Sequence, residues 1–282
     1  MAEITAAAVN NLRAMTGVGM MDCKKALVET NGDVDAAVKM LRERGVAVAA
    51  KRAEKAANQG AVMAQASADG ATLAMVEVNC ETDFVARNES FQDFVKKVVE
   101  TAVANPADVA EVMKDDLSAK IAQTGENMKI RRSARYTLSG TGKLSSYIHM
   151  GGKVGVMLDV ACGKGETVKN AAFVELCNDL CLQIAAAAPK YIAPADVTAE
   201  EIAAEREIYM KQMEDQKKPA NILEKIVDGK LGKFYAEICL LEQEFVKAGD
   251  AKEIIKDVIA KVAKDCGDTI TVRSFVRYQL GA

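Results

Sequence analysis

A chain with a single histidine has few ways to build an active site. His149 is that residue, which removes every centre needing two imidazoles, from His-rich zinc sites to paired acid–base groups. Beside Met150 and Gly151, a lone histidine reads more readily as structural or exposed than as catalytic. Cys177 and Cys181 stand four apart, on one face of a helix, but no second ligand cluster accompanies them, so packing outweighs metal binding. The other cysteines, Cys23, Cys80, Cys162, Cys239 and Cys266, are scattered through the chain. Seven is an odd number, and reduced cytoplasmic thiols serving as small hydrophobes account for it.

Glycine-rich stretches offer the next chemistry. "CGKGET" (162–167) follows an apolar run and precedes a helical pattern, as a phosphate loop would. Such a loop needs G-x-x-x-x-G-K-[ST], whereas Lys164 precedes Gly165 and Glu166 follows it; a dinucleotide loop needs glycine where Val168 stands. "GTGK" (140–143) fails in the same way. Both read as tight turns, and nucleotide binding by this chain is not expected. Arg131, Arg132 and Arg135 lie on an alternating stretch, which points Arg131 and Arg135 one way and Arg132 the other. No aromatics interleave them, so a salt-bridged sheet edge fits better than a nucleic-acid platform. A formal net charge of −3 adds no field for nucleic acid. Elimination leaves no catalytic residue, metal site or cofactor, and the profile is that of a partner-binding protein rather than an enzyme.

What remains conspicuous is "NCETDFVARN" (79–88), a connection carrying Phe84 and Val85 directly behind Asp83. Two readings compete for Phe84. It either anchors the connection from inside or faces outward into another protein's pocket. An apolar run at 72–78 reads as the strand before it. Ser90 with Asp93 forms an S-x-x-D capping box for the helix after it. That helix would bury Phe91, Phe94, Val95, Val98 and Ala102 and end before Asn105–Pro106.

These pieces belong to a larger plan. Residues 1–45 read as three helices, with Val9 and Leu12 inward on the first and a stop at Gly32 after the second. Asp33 caps a third helix whose Val34, Ala37, Val38 and Leu41 form its apolar stripe, closing at Gly45. "VAVAAKRAEKAANQG" (46–60) reads as a linker or an exposed helix. "GENMKIRRSARYTLS" (125–139) then repeats as "GDTITVRSFVRYQLG" (267–281), 142 residues on, and "TLAMVEVNC" (72–80) repeats as "VGVMLDVAC" (154–162), 82 residues on. The second copy therefore holds an insertion of about 60 residues, and the helical pattern places it at 190–248. There Leu223, Val227, Leu231, Phe234, Ile238 and Leu241 recur at spacings of three and four, after a reversal near Lys217–Pro219, as in an antiparallel hairpin. Each copy reads as strand, helix, helix, strand: two related α+β subdomains, 61–140 and 141–189 with 249–282. Length suits two or three domains, aromatics are only 5 % and tryptophan is absent, which favours helix with short strands. No apolar run spans a membrane, and the N-terminus reads as neither signal nor transit peptide.

The stretches 12–45 and 77–91, followed in order by "GENMKIRR", "YIHMGGKVGVML", "KPANILEKIVDGKL" and "LLEQEFVK", resemble the elongation factor Ts family over essentially the whole chain. The resemblance implies an α+β fold with a ubiquitin-associated-like N-terminal domain, a core of two subdomains with antiparallel sheets, and a helical hairpin inserted in the second. It implies a guanine nucleotide exchange factor that binds elongation factor Tu with GDP, displaces magnesium and promotes GDP release. By position, Thr82, Asp83, Phe84 and Val85 are the segment that enters the partner's G domain near the phosphates, with Phe84 as wedge. Arg13, Met20, Met21, Gly125 and His149 are further partner contacts. The implied partner is elongation factor Tu, through its GTPase domain and a further domain, in the cytoplasm, without direct nucleic acid or membrane; a second copy of the chain, through the hairpin, is the other expected partner. A non-catalytic adaptor for a translation GTPase is the alternative. Thr124 stands where some members have isoleucine, and some members continue into an additional C-terminal helix.

Overall fold

The computed structural model describes residues 4–213 and 220–282. Capped, alanine-rich stretches build the first helices. α1 (Ala6–Thr16) starts where Thr5 Oγ1 accepts from the Ala8 amide and stops at Gly17, at φ 67°. α2 (Met20–Glu29) and α3 (Val34–Arg52) follow, the latter capped by Asp33 accepting from Ala36 N. Val9, Leu12, Cys23, Ala26, Leu27, Ala37 and Leu41 close into a small core. The expected helix end at Gly45 does not occur; α3 runs on to Arg52, so the first part of the stretch read as a linker or an exposed helix is helical. Gly45 is instead a crossing point: a Cβ there would lie 3.1 Å from Ala122 Cβ and 3.4 Å from the Ser118 carbonyl oxygen. Its glycine lets two helices touch rather than ending one.

Among the described residues six strands form two antiparallel sheets. β1 (Gln59–Ala66), β2 (Thr72–Cys80) and β3 (Met128–Thr137) pair in that order, as do β4 (Gly142–His149), β5 (Val154–Cys162) and β6 (Ile270–Gln279). The first sheet carries α4 (Asp83–Arg87), α5 (Glu89–Ala104), α6 (Val109–Val112) and α7 (Lys114–Thr124) between β2 and β3. The second carries α8 (Ala171–Ala187), α9 (Ala199–Lys211), α10 (Ala220–Ile238) and α11 (Ile255–Cys266) between β5 and β6. Each copy thus has one strand more than expected. "QGAVMAQA" and "GKLSSYIH" lack the β-branched runs that mark β2 and β5. Ala74, Val76 and Val78 of β2 face α5, while Leu73 and Met75 face the other sheet, so β2 is buried on both sides and reads as an unbroken apolar run. The sheets stand back to back, with Val62, Leu73 and Met75 against Leu144, Met157 and Tyr278, and helices on the outer faces.

The repeat extends to single hydrogen bonds. In β3 the register slips so that Glu77 pairs with Arg132 and Val78 with Ile130, leaving Arg131 as an extra residue; in β6 the same slip at Asp159 and Val160 leaves Arg273. The bulge overrides the alternation expected of the arginines: Arg131 and Arg132 both reach Glu77, at 3.6 and 2.7 Å. Arg273 reaches Asp159 at 3.5 Å. Arg135 Nε donates to Val103 O near the end of α5, and Arg277 Nε to Ala185 O near the end of α8, each at 3.3 Å. β3 is an edge strand, and its edge is salt-bridged.

α9 and α10 run antiparallel: Ile202 clusters with Phe234 and Ile238, and Met213, just past α9, with Val227 and Leu231, while Arg206 pairs with Asp228 at 3.3 Å. Met213, Val227 and Leu231 form their seam. Leu241, expected in that stripe, lies past the helix and packs on the second subdomain's core. The reversal at Lys217–Pro219 lies outside the described residues.

Candidate partner-binding site

β2 ends at Cys80, and the chain does not loop directly into a long helix. It makes one helical turn first, α4. Thr82 Oγ1 accepts from Val85 N at 3.3 Å, and Asp83 pairs with Arg87 at 3.1 Å. α5 then starts at Asn88, whose Oδ1 accepts from Ser90 N. Ser90 therefore stands inside the helix instead of capping it. Val85 packs on the core and Ala86 is buried. With those two facing inward, Phe84 faces outward and is 84 % exposed. Leaving a phenylalanine in water forgoes roughly 1.5–3 kcal/mol that burial would return. Phe84 therefore does not anchor the connection from inside.

One other expected contact lines a groove with Val85, the residue after Phe84. Arg13 is exposed in the last turn of α1 and shares a groove with Val18, Gly19, Val85, Asn88 and Thr124. Met20 and Met21 open α2 directly after that groove, 47 % and 64 % exposed. Gly125 follows Thr124 as the left-handed cap of α7, at φ 71°. His149 does not join this set. At the end of β4, its Nδ1 lies 2.8 Å from Tyr147 Oη, and the pair lines a pocket with Leu182 and Ala185 of α8.

The next residue turns the other way. Met150, at φ 51° and 64 % exposed, shares a groove of about 950 Å³ with Thr82, Asp83, Phe84 and Arg87. Neither Met150 nor the exposed Met15 was nominated by sequence reasoning. A large apolar residue in the "HMGG" turn was the available signal for Met150.

Among the described residues no three metal-ligating side chains converge. Burial pushes the thiols of Cys80, Cys177 and Cys181 up to about 12 and that of Cys239 to about 11. The loop "CGKGET" proves to be the second copy's counterpart of α4. Cys80 Sγ donates to Thr82 O and Cys162 Sγ to Lys164 O, and Asn170 caps α8 as Asn88 caps α5. At Phe84's place stands Glu166. Asp268 accepts from Gly163 N at 3.0 Å, Lys164 N at 2.9 Å and Thr167 Oγ1 at 2.6 Å. Those hydrogen bonds, that of Thr167 foremost, hold its carboxyl below the usual range. The amides that would cradle a phosphate are already occupied by a carboxylate, so the tight-turn reading stands.

No helix among the described residues is long and apolar enough to cross a membrane. The family model described as Elongation factor TS matches residues 81–282. The chain is similar to elongation factor Ts of Desulfovibrio desulfuricans, 44 % identical over the whole of both chains. It is similar also to those of Trichlorobacter lovleyi and Clostridium perfringens, 43 % and 44 % identical over 99 % of this chain and 93 % of theirs. With a duplicated core, an outward aromatic turn and matches that run nearly end to end, the chain belongs to the elongation factor Ts family.

Proposed function

We propose that this chain, as a member of a translation elongation factor family, is the guanine nucleotide exchange factor of elongation factor Tu. It binds the GDP form, displaces magnesium and releases GDP, acting in the cytoplasm by protein binding and without an active site of its own. The observation that carries this reading is Phe84, held outward on a turn whose Val85 packs against the core and whose Ala86 is buried. An exchange factor must bind the nucleotide-free partner more tightly than the loaded one, and by linkage the difference weakens nucleotide by the same factor. An exposed aromatic on a rigid mount suits that task, because it gains its burial energy only when the partner opens a pocket for it. Arg13 shares a groove with Val85, next to Phe84 in the chain, and Met20, Met21 and Gly125 follow lining residues of that groove in sequence, which supports their extending the contact. His149, set apart from them, suits a separate domain of the partner.

The test is release of fluorescent GDP from purified elongation factor Tu at increasing concentrations of the chain. Phe84→Ala is expected to lower the accelerated rate about 10- to 100-fold, the loss of one desolvated aromatic anchor. An unchanged rate sinks the wedge. Stable complex formation without any acceleration by the native chain would establish the adaptor instead.

A further inference from the structure

A five-residue helix cannot hold its own orientation in water, so something else must aim Phe84. Glu126, on the short connection between α7 and β3, accepts from Thr82 twice: from the N–H at 3.1 Å and from the O–H at 2.6 Å. Both bonds go to a carboxylate and are correspondingly strong. Its neighbour Asn127 is buried and donates in two directions: its amide N to Glu81 Oε1 at 2.6 Å, and its Nδ2 to Lys55 O at 2.6 Å. Glu81 Oε1 also accepts from Arg52 Nη1, the last residue of α3, at 2.9 Å. Two sets of hydrogen bonds, Arg52–Glu81–Asn127 and Glu126–Thr82, are thus joined through the chain at the neighbouring pairs Glu81–Thr82 and Glu126–Asn127, from the end of the three-helix unit to the first residue of the turn that bears Phe84.

We propose that Glu126 is a positioning residue for Phe84, and that the Glu81–Asn127 bridge ties that position to the three-helix unit. The inference rests on the exchange-factor reading and adds to it the part that sets the wedge. Freed from Glu126, α4 keeps Phe84 but no longer presents it in one direction. The partner is still met through the remaining surfaces, while insertion becomes rare.

Saturation kinetics of GDP release separate this role from damage to the fold. A partly unfolded variant lowers the active concentration, so its half-saturating concentration rises and its saturated rate is kept. Glu126→Ala is expected to do the opposite, lowering the saturated rate about tenfold, as misplacing a working group does, with half-saturation within about twofold of the native chain. Glu126→Gln keeps one acceptor oxygen and is expected to fall between the two. Adding Phe84→Ala to Glu126→Ala is expected to cost little more than the larger single loss, because both act through one side chain. In the free chain, hydrogen exchange at the Thr82 amide is expected to quicken in Glu126→Ala. An unchanged saturated rate, or losses that multiply in the double variant, overturns the proposal. If Phe84→Ala slows release and Glu126→Ala does not, only the positioning role falls. If the native chain fails to accelerate release, or Phe84→Ala changes nothing, the exchange reading falls and this inference with it.

Discussion

Phe84 and Cys80 sit four residues apart and show what environment does to a side chain. Cys80 is buried and its thiol stays protonated, held up chiefly by desolvation, with Glu126 adding to it. A rise from 9.0 to about 12 lowers the thiolate fraction about a thousandfold at a given pH, and only the thiolate is nucleophilic. Alkylation of the native chain at pH 8, read by mass spectrometry, is therefore expected to spare Cys80, Cys177 and Cys181 and to reach the half-buried Cys266 first. Fast labelling of the Cys177–Cys181 pair would show that the second core opens readily. The thiols' packing role was legible from their scatter and odd number. The residues alone left the outward set of Phe84 open, because composition cannot say which of three consecutive residues, Phe84, Val85 or Ala86, takes the interior; the family resemblance pointed outward. The short helix decides it.

Helices with strong caps and long stripes were legible: Asp33 caps where expected, and the Phe91–Ala102 face is buried as its spacing predicts. Shorter and irregular elements were not. α4 is too brief for a periodic signal, β1 and β4 are too poor in branched residues, and the bulges at Arg131 and Arg273 break an alternation that assumes continuous register. The close approach of the two sheets was also hidden. At Gly155 a Cβ would lie 2.5 Å from Val62 Cγ1 and 2.7 Å from Met75 Sδ. Gly155→Val is expected to wedge the sheets apart and cost about 1–3 kcal/mol in denaturant unfolding. A smaller change would mean that Val62 and Met75 repack without strain.

The two halves are also joined by a polar clasp. Glu77 is fully buried in the first sheet and accepts from Arg132 Nε at 2.7 Å, Asn79 Nδ2 at 3.1 Å and the Gly281 amide at 2.9 Å, near the end of the chain. Arg132 in turn donates to Gln279 O at 2.9 Å and stacks 4.3 Å from the Tyr278 ring centroid. Removing the acid strands its donors, and Glu77→Ala is expected to cost about 3 kcal/mol of unfolding free energy. A loss below about 1 kcal/mol would show that water replaces the clasp. The duplication was legible from two matching segments, and so was the insertion. The clasp was not, because Gly281 lies 204 residues from Glu77 and nothing in the repeated stretches shows that the end of one sheet closes on a carboxylate of the other.

Duplication carries a hazard of its own. A body made of two like halves, each bearing the same projecting aromatic, would present its partner with two competing docking poses, and half of all encounters would end in the unproductive one. Here the second projection is missing. Glu166 replaces the aromatic, and Asp268 holds the loop closed with three of its own donors. The molecule has a front and a back. Its near-symmetry serves construction of the core, while the departure at residue 166, like the inserted hairpin, sets the two halves apart.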